Sequence, residues 1–98
     1  MSNAKVVETT DATLIGSEPI MLLSIVVGTT EPPPPALFTV DLHNANSASD
    51  TLDASNRKVR IAVPATTNGL THSFDGVMFP KGLVVKCSSA VPITVEYE

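Results

Sequence analysis

The stretch ALFTVDLHN places Phe38, Val40 and Leu42 at every second position, with Thr39, Asp41 and His43 between them. A period of two sends alternate side chains to opposite faces of an extended chain, so one face can be dry and the other wet. The same alternation returns in KVRIAV, where Val59, Ile61 and Val63 oppose Lys58, Arg60 and Ala62. It returns again in ITVEYE, where Ile93, Val95 and Tyr97 oppose Thr94, Glu96 and Glu98. GLVVKCSS follows it less cleanly: Leu83, Val85 and Cys87 form the apolar set, while Val84 falls in with Lys86 and Ser88. The longest helix-tolerant run, ANSASDTLDASNRK, consists largely of Ser, Asn and Asp, whose side chains compete for helical backbone hydrogen bonds. Residues 43–57 therefore read as a polar loop with at most one helical turn.

The punctuation between these segments joins strands. Asn68-Gly69 suits a two-residue hairpin turn, and Phe79-Pro80-Lys81-Gly82 has Pro and Gly where a type I turn favours them. Pro32 to Pro35 fix their own φ and push the preceding residues out of the α region, which makes 28–36 a stiff, extended strap. The expected fold class is all-β: a single antiparallel β-sandwich over 1–98 with about seven or eight strands. Residues 1–10 are expected as an extended N-terminal arm.

Composition closes several routes. A chain of 98 residues supports one domain with a thin core, and 43% apolar against 16% charged residues argues for a folded chain. Its six basic residues, Lys5, Arg57, Lys58, Arg60, Lys81 and Lys86, are scattered, and the net charge is -4. No nucleic-acid partner is expected from so few cations. A lone Cys87 cannot form an internal disulfide, which fits assembly in a reducing cytosol. MSNAKVVETT has no basic segment leading into an apolar stretch, so no secretory signal is expected. The most apolar run, IMLLSIVV, falls far below the roughly 20 residues of a membrane helix, and no membrane partner is expected.

That run is apolar on both faces, with only Ser24 interrupting it. Either the chain covers both sides of it, or one side packs in the core while Ile20, Leu22 and Val26 form the heart of an oligomer or docking interface. Each strand of a two-layer sandwich has one face outside, which favours the second arrangement.

Few residues invite chemistry. His43 and His72 are separated by a long loop, and their spacing gives a metal no third ligand; His72 alternates with Leu70 and Phe74 and reads as a partly buried, hydrogen-bonded histidine. Asp41, Asp50 and Asp53 surround the polar loop without forming a calcium-loop motif. Cys87 shares the phase of Leu83 and Val85, which points it inward as an unreactive thiol. There is no G-x-S-x-G elbow or glycine-rich phosphate loop, and with one Tyr and no Trp the chain lacks an aromatic platform for stacking sugars or bases. These features lead to the expectation of a non-enzymatic protein with no cofactor and no metal.

His72, Phe74, Phe79, Pro80, Gly82, Leu83, Val84 and Val85, followed by ITVEYE, resemble the ending of small β-sandwich virion proteins of tailed bacteriophages. The resemblance covers the last quarter of the chain; residues before about Leu70 share only the general character of many strands and few charges. It implies a jelly-roll-like sandwich whose final hairpin is completed by Ile93, Val95 and Tyr97, with no tail needed beyond it. It also implies a capsid decoration, or cement, protein, assembled in the host cytoplasm and located in the virion. Its partner would be the major capsid protein and its form a homotrimer. The alternative is a ligand- or receptor-binding module of a phage tail or head-tail accessory assembly.

Overall fold

A computed structural model describes residues 2–67 and 69–98. These contain no helix and eight strands: β1 (Asn3–Val7), β2 (Thr13–Gly16), β3 (Ile20–Val27), β4 (Phe38–Asn44), β5 (Arg57–Val63), β6 (Leu70–Phe79), β7 (Leu83–Cys87) and β8 (Ile93–Tyr97). Two four-stranded sheets result, ordered β1-β8-β3-β6 and β2-β7-β4-β5, with every pairing antiparallel. The expected antiparallel sandwich is the observed fold, and its strand order is that of a jelly roll. The chain passes from one sheet to the other at nearly every connection; β4 and β5 are the consecutive strands that share a sheet.

The alternating segments behave as their period requires. Phe38, Val40 and Leu42 of β4, Ile61 and Val63 of β5, Leu83, Val85 and Cys87 of β7, and Ile93 and Val95 of β8 join one buried cluster between the sheets. Lys58, Arg60 and Ala62 face solvent. The arm expected at 1–10 is not free: Asn3 to Val7 pair with Tyr97 to Ile93, so β1 is the edge strand beside β8. With a radius of gyration of 12.6 Å, the chain is as compact as a single domain of about 100 residues, for which about 13 Å is typical.

The doubly apolar strand β3 departs from simple alternation. Its pairing with both β6 and β8 shifts register between Leu22 and Ser24: against β8, Leu23 is an extra residue and the faces exchange there, while against β6 the surplus lies on β6, where Phe74, Asp75 and Gly76 separate the partners of Leu22 and Ser24. Ile20 and Leu22 point into the core before the shift, and Ile25 and Val27 after it. The set Ile20, Leu22 and Val26 therefore does not share an outer face. Leu22 is wholly buried and Ile20 nearly so, while Val26 is half-buried on the other side.

Two expected hairpins are also corrected. β5 and β6 lie in different sheets, so the link between them crosses the sandwich edge; Asn68, half of the expected Asn68-Gly69 turn, lies outside the described residues. β7 and β8 likewise belong to different sheets, so the chain does not close on a hairpin. The Phe79 to Gly82 turn is present, with the Gly82 N–H donating to the Phe79 carbonyl at 3.2 Å, and it carries the chain from one sheet to the other. Gly82 has φ +132, and a Cβ there would stand 2.8 Å from the Ala45 carbonyl oxygen, so the turn requires glycine. The proline strap leaves β3 at the end of the sandwich opposite that turn and carries the chain to β4, and its Pro34 carbonyl accepts the Thr66 N–H at 2.8 Å.

Candidate functional site

The outer face of the β2-β7-β4-β5 sheet holds a depression over His43. Period-two reading puts His43 on the wet side of β4, yet only 3% of it is exposed, the most buried polar residue described. β4 keeps its alternation here, with regular pairing to β7, and the register shift against β5 makes Lys58 the extra residue; His43 is covered because the β4–β5 connection folds back over it. Val84, the partner of His43 on β7, also lies outside the core cluster and is fully buried, against its expected exposure.

Asn56 fastens this cover. Its Nδ2 donates to the Thr51 carbonyl at 2.8 Å, while its Oδ1 accepts the Asp53 N–H at 3.2 Å and lies 2.7 Å from His43 Nδ1. With the amide oriented by Thr51 and Asp53, Oδ1 is an acceptor and His43 Nδ1 must be the donor. Nε2 is then the ring nitrogen that takes no part in this bond.

Above His43 opens a space of about 410 Å³ lined by Ala12, Ala48 and Leu52 together with Asp41, Asp50, Asp53, Arg57, Arg60 and Lys86. Most of the charges are already engaged. Arg60 donates from Nε and a terminal nitrogen to the two oxygens of Asp41, at 2.7 and 2.8 Å, a forked pair across β4 and β5. This bond holds the Asp41 carboxyl below its usual range against the opposing effect of burial, with further help from the Arg60 and Arg57 charges. The same pair raises Arg60. Asp53 is lowered chiefly by the hydroxyl and N–H of Ser55, which both donate to it. Lys86 reaches the Thr10 carbonyl. Arg57, half-buried at the start of β5, donates its backbone N–H to the Asp53 carbonyl at 3.1 Å, while its guanidinium makes no hydrogen bond or ion pair with a described residue.

The sequence candidates distribute as follows. His43 and His72 are on different sheets and do not converge; His72 is exposed on edge strand β6 rather than partly buried. Asp41, Asp50 and Asp53 do line one depression, but no group of three or more metal-ligating side chains is positioned for a metal among the described residues. Cys87 is buried on the core side of β7, and burial, assisted by Asp41, pushes its thiol up to about 11. Ile20 and Leu22 are core residues, as described above. Asn56 and Arg57 escaped sequence reading, since neither lies in a motif and both acquire a place only when the β4–β5 loop folds back.

Comparison with protein-family models, with curated proteins and with solved structures returns no match to this chain.

Proposed function

We propose that the protein is a non-enzymatic structural subunit of a phage virion, a capsid decoration protein that binds across neighbouring major capsid subunits as a homotrimer. The observation that carries this reading is the outer face of the β1-β8-β3-β6 sheet. After the β3 register shift, that face presents Val26 beside Thr94 and Thr71, with Val6 at one edge and the Met21–Met78 pair toward the other. Val6 is 57% exposed, Met78 43% and Met21 36%. Glu96, on β8 in the middle of the face, accepts a hydrogen bond from the Ser24 hydroxyl at 2.9 Å and is partly covered. A broad sheet surface with apolar side chains and its central charge engaged suits docking onto another protein.

The jelly-roll strand order adds support, because that architecture is common among shell-forming domains. The interface moves from the expected Ile20, Leu22 and Val26 to Val26 with Val6, Met21 and Met78. Quantitative analysis of purified native particles tests the reading. A decoration protein is present in copies on the order of hundreds, following the symmetry of the shell. A handful of copies at the tail would replace this reading with the ligand- or receptor-binding module, which the depression over His43 favours.

A further inference from the structure

We infer that the depression over His43 is a binding site for a carboxylate-bearing sugar, a uronic acid type of ligand. The site lies on the sheet opposite the proposed docking face, so it does not rest on that docking role. His43 is 97% buried by subtraction from its 3% exposure, and Nδ1 is committed to Asn56. Its Nε2 has no hydrogen-bond partner, although no enclosed side-chain nitrogen or oxygen is left unpaired among the described residues. Because His43 lines the open space, Nε2 meets that space and offers an acceptor there.

Two other groups in the lining are uncommitted. The Arg57 guanidinium is a free donor fork, and the Asp50 carboxylate accepts nothing from a described residue. One donor fork with two separate acceptors is the complement of one carboxylate with two hydroxyls. Arg57 would take the carboxylate in a charge-assisted, two-pronged contact, and hydroxyl groups would donate to His43 Nε2 and Asp50.

Charge selects among anions. Asp41, Asp50 and Asp53 line the same space, so a doubly charged phosphate or sulfate meets more repulsion than a single carboxylate does. The apolar walls are only Ala12, Ala48 and Leu52, and the chain has no Trp, so a neutral sugar finds no stacking surface. The 410 Å³ volume falls in the usual range for small-molecule sites, roughly 300–1,000 Å³, and holds one sugar ring. The ligand could be a free sugar acid or a unit of an acidic polysaccharide.

Amide chemical-shift titration of the whole protein with sodium D-glucuronate is the test, with D-glucose and sodium sulfate at matched ionic strength as controls. Glucuronate is expected to move the signals of His43, Asp50, Asn56 and Arg57 with a dissociation constant in the millimolar range, about 1 mM corresponding to −4.1 kcal/mol. Glucose and sulfate are expected to leave those signals in place. The variant Arg57→Gln should bind glucuronate at least about tenfold more weakly, as loss of a charge-assisted fork requires. Tighter binding of oligogalacturonate than of sodium D-galacturonate would identify a polysaccharide source, and equal binding a free acid. No shifts with glucuronate at about 50 mM, far above that dissociation constant, would overturn the site, as would equal shifts with glucose or sulfate. The wild-type comparison decides the matter even if Arg57→Gln does not fold.

Discussion

Cys87 shows how position in a strand sets chemistry. The side chain is 1% exposed between the sheets, and its thiol is raised to about 11 chiefly by desolvation. A thiol reagent at neutral pH should label it slowly in native protein and fast once denaturant is added. Rapid native labelling would contradict its placement. The linkage has a definite sign: the folded value lies above the ordinary 9.0, so the stabilisation is complete below about pH 9 and is lost as pH rises toward about 11. Asp41 works in the opposite direction. Its carboxyl is depressed by Arg60, so this pair stabilises the fold above the ordinary carboxylate range and loses that contribution as acid protonates Asp41. Asp41→Asn should be less stable than wild type at neutral pH, with the difference shrinking in acid. Denaturation midpoints at several pH values check this, and a constant difference would show that the pair does not titrate as described.

At the scale of elements, β3 and β5 each carry one extra residue, Leu23 against β8 and Lys58 against β4. Leu22 precedes the shift in β3 and is fully buried, whereas Val26 follows it on the outer face and is half-buried. Leu22→Ala should therefore cost about 2–5 kcal/mol, and Val26→Ala distinctly less. Phe38→Ala, at a 2% exposed position, should cost about 3–5 kcal/mol. Equilibrium denaturation of the three variants measures these costs, and equal losses at Leu22 and Val26 would reject the shift. Strands β4, β5, β7 and β8 are legible in the sequence because alternation records the face that each turns to the core. A one-residue shift leaves no such record, since it depends on how the neighbouring strands pair. Hence Ile20, Leu22 and Val26 look coplanar in sequence and are not so in the fold. Partner choice was equally hidden: Phe79 to Gly82 reads as a tight turn, which it is, but nothing local says that it changes sheets. β1 gave a weak signal because Asn3 to Val6 are exposed and owe their strand form to pairing with β8. The depression was hidden for a related reason, as His43 is covered by Asn56 only through a long loop.

On the scale of the whole molecule, the two outer faces differ. One sheet exposes Val6, Met21 and Met78 around half-buried Val26, whereas the other carries the Asp41–Arg60 pair and the charged depression. If the apolar face docks on the capsid, a charge placed there must be desolvated without a partner when the complex forms. Val26→Asp is expected to fold and to lose at least about tenfold in particle binding, since an unpaired interface charge is costly. Val6→Asp, at a more exposed edge position, tests the same face with less risk to folding. Ala62→Asp, exposed on the opposite sheet, should bind as wild type does. Circular dichroism first establishes that each variant is folded, and co-sedimentation with particles stripped of the protein then measures binding. Light scattering on free wild type reports assembly: a clean 10.3 kDa monomer at micromolar concentration would place trimer formation on the capsid rather than before it. Full retention of folded Val6→Asp and Val26→Asp on particles would remove this face from the interface. Selective loss of the Ala62→Asp protein would move the contact to the other sheet, where it would compete with any ligand over His43.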